Sequence, residues 1–230
     1  MSPTLVLFDI DQTLLYSGGA GIRALNQAFQ EVTGIADGFR EITYGGKTDP
    51  QIMREALTLH GLPSDESMIA TLTKRYLHHF PSMMAVSPAR LKPGVPSILD
   101  EARAVPSLVL GLLTGNLEPS ARMKLDRFNL NPYFEVGAFG SDDEDRDSLL
   151  PIAVDRLRTV KGIAVPYEDC VVVGDTPLDV RCAHVYGARC VGVATGAYSV
   201  EELRSSNADL VVPDLSEAAL IVEWFTAVRN

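Results

Sequence analysis

Five short runs of nearly unbroken apolar character punctuate the chain: TLVLF at 4–8, SLVLGLL at 107–113, CVVVG at 170–174, RCVGV at 189–193 and DLVV at 209–212. A strand with one wet face alternates apolar and polar residues. These runs do not alternate, so they predict strands covered on both sides, as in a parallel sheet flanked by helices. The stretches 117–128, 149–160 and 178–186 carry apolar residues at spacings of three and four, with Pro119, Pro151 and Pro177 near their starts, and predict helices. Strand and helix alternate along the chain. That order predicts an α/β fold, a doubly wound parallel sheet with right-handed crossovers and a ligand site at the carboxyl ends of its strands.

Roughly 80 residues of different character separate the first apolar run from the second, and no convincing strand is predicted within them. Ile22, Leu25, Phe29 and Val32 share one helical face and Ile52, Met53, Ala56 and Leu57 another, while 65–83 continues the helical period. The pattern predicts a small helical bundle inserted into the α/β unit. Its exits, Ser17-Gly18-Gly19 and Ser87-Pro88, suit a two-stranded hinge. The expected division is therefore 1–15 with 88–230 as the α/β core and 16–87 as the helical insert.

Composition narrows the classes. The 230 residues can bury a full core, and with 46% hydrophobic and 22% charged residues the chain reads as an ordinary globular protein. It contains no apolar run long enough to span a bilayer, and MSPTLVLFDID reads as a buried strand and not as a signal peptide, so a cytoplasmic protein without a membrane partner is expected. A net charge of −10 with no basic run argues against nucleic acid, but a small anionic substrate stays possible where a bound cation reverses the local sign. Cys170, Cys182 and Cys190 lack metal-ligand spacing and are expected to be reduced and partly buried. His60, His78, His79 and His184 also lack ligand spacing and read as surface or packing residues.

Three polar clusters follow predicted strands. Asp9, Asp11 and Thr13 come directly after the first; two carboxylates there repel one another unless something compensates, and a divalent cation is the economical choice. Thr114, Gly115 and Asn116 end the second run with a hydroxyl, flexible backbone and an amide, the materials of an anion cradle. Asp175 follows the CVVVG run, with Asp179 one helical turn beyond it. Each cluster alone also admits a reading as solvated loop residues or helix caps, though a cap at Asp175 does not account for Asp179. Their convergence on one sheet edge favours a site.

FDIDQTLL, LLTGN and GDTPLDV, in this order and spacing, resemble the motifs of the haloacid dehalogenase superfamily over nearly the whole chain, with LKPGVPSIL resembling the return into the core and the insert lying where that family places its smaller cap. The resemblance implies a Rossmann-like core with a helical cap, and a magnesium-dependent phosphatase of the phosphoglycolate phosphatase type acting on a small phosphorylated metabolite. Asp9 would be the nucleophile that forms an aspartyl phosphate, Asp11 the general acid and base, and Thr114 with nearby amides the holder of the phosphoryl oxygens. Asp175 would complete the Mg2+ site with the Asp9 carboxylate and the Asp11 carbonyl, supported by Thr13 and Asp179. Two positions depart from the pattern. Gln12 replaces the usual glycine, at a position expected to vary freely. The usual lysine before a helix is absent from GSDDEDRDSLLPIA, where Arg146 offers the same charge; a surface ion pair with Asp143 or Asp147 is its alternative. In YGGKTDPQI, Lys47 follows a glycine pair and is a candidate contact to the leaving group. Asp11 argues against carbon-halogen cleavage, which needs no proton delivered to a leaving oxygen. A phosphosugar mutase and a non-enzymatic phosphate-sensing module are the other readings.

Overall fold

Every described residue of β1 (Thr4–Phe8) after Thr4 is buried, and successive side chains enter different cores. The computed structural model of the protein describes residues 3–227. Val6 and Phe8 face one apolar cluster, Leu5 and Leu7 the other, which is why this strand reads as a continuous apolar run. The same division recurs in β4 (Leu108–Thr114), β6 (Cys170–Gly174) and β7 (Arg189–Val193). With β5 (Val136–Phe139) and β8 (Leu210–Val212) these form a six-stranded sheet in the order β5-β4-β1-β6-β7-β8, every pair parallel. One face is covered by α4 (Val95–Arg103), α5 (Glu118–Asp126) and α9 (Ala218–Thr226), the other by α6 (Leu149–Lys161) and α7 (Pro177–His184); α8 (Val200–Ser205) packs beside β7 and β8. The chain leaves β1 for β4 on one side and later builds β6 on the other. The crevice at that switch point opens at the carboxyl ends of β1, β4 and β6.

The five predicted strands are all present, but β5 is a sixth. Its four residues, VGAF, include a glycine and an alanine and make too short an edge run for the pattern to register. The expectation of no strand around the insert also needs correction. Leu15–Tyr16 (β2) and Arg90–Leu91 (β3) form a two-stranded antiparallel pair where the chain leaves and re-enters the α/β unit. The three predicted core helices form within two residues of their expected ends.

Between β2 and β3 lie α1 (Ala20–Thr33), α2 (Asp49–Leu59) and α3 (Glu66–Ala85), all amphipathic. Their apolar faces make a cluster of their own around Phe29, Phe39, Tyr76 and Phe80, joined from the α/β side by Leu117. Thr48 caps α2 by accepting the Gln51 N–H, with Pro50 in the first turn. Among the described residues no helix is long and apolar enough to cross a membrane.

Candidate active site

A cavity of about 860 Å³ lies between the carboxyl edge of the sheet and the helical insert. It is lined by most of the residues singled out from sequence, Asp9, Asp11, Lys47, Thr114, Gly115, Asn116, Arg146 and Asp175 among them. The strand ends deliver the first group. Asp9 is the residue after β1, and its N–H still pairs with the Val173 carbonyl of β6 at 2.9 Å, so the carboxylate is held at the very edge of the ladder. The chain then turns sharply through Gln12, whose φ of 66° lies in the left-handed region. The position is thus not freely variable. A side chain there costs about 1–2 kcal/mol relative to glycine, and the turn is held by the Thr195 hydroxyl donating to the Gln12 carbonyl at 2.5 Å.

Arg146 is not a surface residue. It is 3% exposed, and its guanidinium binds the Asp179 carboxylate, stands 3.5 Å from Asp9 Oδ1 and donates to the Gly46 carbonyl of the insert at 3.1 Å. Asp147, offered above as its partner, pairs instead with Arg181, and Asp143 accepts a backbone N–H. Asp179 has a second duty: its other oxygen accepts the Thr176 N–H and hydroxyl in a reciprocal cap of α7. Asp179 therefore faces Arg146 and the helix start, and acts on Asp175 only through its charge.

Two carboxylates remain for a metal. Burial raises Asp9 to about 7, against the pull of Arg146, with Asp179 and Asp11 adding repulsion. Burial raises Asp175 to about 8, and Asp179 and Asp9 push the same way. The Thr13 hydroxyl donates to Asp175 Oδ1 at 3.4 Å, and Gly196 makes room for Oδ2, since a Cβ at that position would stand 1.7 Å from it. Among the described residues no three His, Cys, Asp or Glu side chains form a complete metal site. Two buried carboxylates short of positive charge nonetheless suit a hard cation that retains water and shares substrate oxygens, as Mg2+ does. The donor set fits that ion.

Asp11 lives in a different environment. Burial pushes its carboxyl upward, but the Lys124 ammonium and the Asn116 amide outweigh that and hold it below the usual carboxylate range. Lys124, on α5 and 3% exposed, binds both Asp11 and the Asn116 carbonyl oxygen and lies over the Phe80 ring. Asn116 donates to Asp11 at 2.9 Å and to the Thr114 hydroxyl at 2.7 Å, so its side chain orients neighbours. The Thr114 hydroxyl in turn lies close enough to Asp9 to pull its carboxyl downward. Lys124 is a cavity-lining residue that sequence reasoning passed over. It sits seven residues after Leu117 and three after Ala121, in the apolar register of α5, where a lysine calls for a buried partner.

The insert closes on this edge through backbone contacts. The Asp49 N–H donates to the Gly115 carbonyl at 2.7 Å, the Leu117 N–H to the Asp49 carboxylate at 3.0 Å and the Thr48 hydroxyl to the Glu144 carbonyl at 2.7 Å. Gly115 permits this approach, because a Cβ there would lie 2.1 Å from the Lys47 carbonyl. Arg54 adds a forked bond to the Glu144 carboxylate at 2.8 and 2.9 Å. Lys47 lines the cavity, with its ammonium on Glu55 at 2.5 Å.

Comparison with known proteins places this geometry in context. A HAD-hydrolase-like family model matches residues 149–218, the segment that carries α6, β6, Asp175 and Asp179. The chain is 25% identical over 212 residues to the phosphoglycolate phosphatase of Photorhabdus laumondii, covering 92% of this chain and 89% of that protein. It is 28% identical over 219 residues to the phosphoglycolate phosphatase of Rhodospirillum rubrum, covering 93% and 88%. The crystal structure of CbbY from Rhodobacter sphaeroides in complex with phosphate shares the fold, with a TM-score of 0.70, 22% identity and 94% and 96% of the two chains covered.

Proposed function

We propose that the chain is a hydrolase of the haloacid dehalogenase superfamily, namely a magnesium-dependent phosphatase of small phosphomonoesters working through a phosphorylated Asp9. One observation carries the reading: Asp9, Thr114, Arg146 and Asp175 come from four separate segments and line one cavity at the switch point of the sheet. Residues 1–15 and 88–230 hold the chemistry, and residues 16–87 act as the cap that closes over it.

The Asp9 carboxylate attacks phosphorus as the ester oxygen departs, giving an acyl phosphate that water then opens at phosphorus. Arg146 and the Thr114 hydroxyl, both beside Asp9, offset charge on the phosphoryl oxygens, with Gly115 amide backbone at hand. Asp9 and Asp175, with the Asp11 carbonyl, would hold Mg2+, which supplies further charge compensation between nucleophile and phosphoryl group. Lys124 and Asn116 keep Asp11 ionised in the free site, the state it needs to take a proton from water. A dianionic phosphoryl group beside Asp11 favours its protonation, the state it needs to protonate the leaving oxygen.

Purified protein with Mg2+ should release phosphate from p-nitrophenyl phosphate, and Asp9→Asn should lower the rate by about 10³-fold or more. Chelation should stop turnover and added Mg2+ restore it. Wild type and Asp9→Asn alike in giving none would end the phosphatase reading.

A further inference from the structure

Tyr76 of α3 is fully buried, and its hydroxyl has no hydrogen-bond partner, although the residue belongs to the wall of the active-site cavity. The Ser120 hydroxyl is close enough to act on the phenol, but it donates to the Leu117 carbonyl at 2.9 Å and makes no hydrogen bond of normal geometry with Tyr76. Native proteins rarely leave a phenol in this condition without a reason. The Asp49 and Asp11 carboxylates are near enough to act on it, and Asp49 presents one oxygen to the Leu117 N–H and lines the same cavity. An acceptor and an unsatisfied hydroxyl thus stand together on the cap side, a short reach from the nucleophile's edge.

The charges around them restrict what can bind. Each cation that lines the cavity already has a carboxylate: Arg146 has Asp179 and Asp9, Lys124 has Asp11, and Lys47 has Glu55. A second anionic group on the substrate would meet Asp49 and Asp11 with no lining cation left over. A neutral group rich in hydroxyls meets the opposite situation, donating to Asp49 and accepting from Tyr76. Ile22, Leu25 and Ile52 supply an apolar wall in the same cavity for a carbon skeleton.

We infer that Asp49 and Tyr76 form a hydroxyl-recognising subsite for the leaving group, so that the preferred substrates are phosphorylated polyols or sugars and not phosphorylated hydroxy acids. This rests on the phosphatase reading above and names the substrate class of that site. It also departs from the substrate named for the two curated relatives, whose leaving group carries a carboxylate.

Matched pairs test it. The kcat/KM values for glycerol 3-phosphate against 3-phosphoglycerate, and for glucose 6-phosphate against 6-phosphogluconate, compare a neutral polyol or sugar with its acid counterpart; p-nitrophenyl phosphate serves as the reference. The wild type should favour the neutral member of at least one pair by about tenfold or more, since like charges set against each other in a closed site are strongly disfavoured. Tyr76→Phe should lower kcat/KM for that member about five- to tenfold more than for p-nitrophenyl phosphate, mainly through KM, without lowering Tm, because the deleted hydroxyl has no partner to lose. Asp49→Asn, which keeps an oxygen for the Leu117 N–H, should narrow the preference for the neutral member. Preference for the acids, turnover of the reference ester alone, a Tyr76→Phe protein with reduced Tm, or selectivity unmoved by both substitutions would each overturn the subsite. Failure to hydrolyse even the reference ester, by contrast, strikes the phosphatase reading itself.

Discussion

The two walls of the cavity are built on different principles. On the sheet side, charged side chains are tied to one another and all but Asp11 are buried: Arg146 to Asp179, Asp179 to the start of α7, Lys124 to Asp11 and Asn116. On the cap side, contact runs mostly through backbone groups of the 46–49 loop and through ion pairs that are partly open to solvent. The first arrangement holds reacting groups in place at the cost of strong mutual dependence. The second lets a helical unit with its own apolar cluster meet the edge without sharing its core, apart from Leu117. Under the proposed function, chemistry belongs to the first wall and selection of the leaving group to the second.

Breaking the rigid wall should have the largest effect. Arg146→Ala removes one partner of a buried pair and leaves Asp179 and Asp9 without compensation, so a loss of about 3–5 kcal/mol in urea unfolding is expected, with activity falling on every phosphoester. An unchanged unfolding midpoint would remove Arg146 from the centre of that network. Gly115→Ala probes the seam between the walls. The added methyl collides with the Lys47 carbonyl, a backbone atom, so the bonds that tie the 46–49 loop to this edge must give: kcat/KM should fall about 10- to 100-fold, with a stability loss smaller than that of Arg146→Ala. A stability loss matching that of Arg146→Ala would show that the two walls are one unit. Lys47→Ala should matter least. Its pair with Glu55 is partly exposed and contributes about 0–1 kcal/mol, and with neutral leaving groups a change below about threefold is expected by steady-state kinetics. A larger loss confined to carboxylated substrates would return Lys47 to the leaving-group contact that its sequence position first indicated, and would count against the Asp49 and Tyr76 subsite.

The contrast between the walls also explains what could be read in advance. Asp9, Asp11, Thr114 and Asp175 were legible because each follows an apolar run that can only be a strand buried on both faces. Arg146 was legible as a positive charge before a helix, but its partner was not, since Asp143 and Asp147 lie beside it in the sequence while Asp179 is 33 positions away. Tyr76 and Asp49 were hidden for opposite reasons. Tyr76 falls in the apolar register of α3 and looks like ordinary core, and Asp49 sits behind Thr48 and before Pro50, where an acid looks like an ordinary first-turn residue. Gln12 looked interchangeable because a positive φ leaves no mark in a residue that is not glycine.

The order of apolar runs, the period of the intervening helices and the acids at the strand ends were determined by the sequence alone, because burial on both faces and helical amphipathicity are written locally, residue by residue. The sixth strand, the Lys124 clamp on Asp11, the bond from Arg146 to the Gly46 carbonyl and the unpartnered Tyr76 hydroxyl were decided only by the tertiary structure. The Lys124 and Arg146 bonds join groups 113 and 100 positions apart along the chain, the sixth strand is an edge too short to carry a pattern, and only packing brings these parts together.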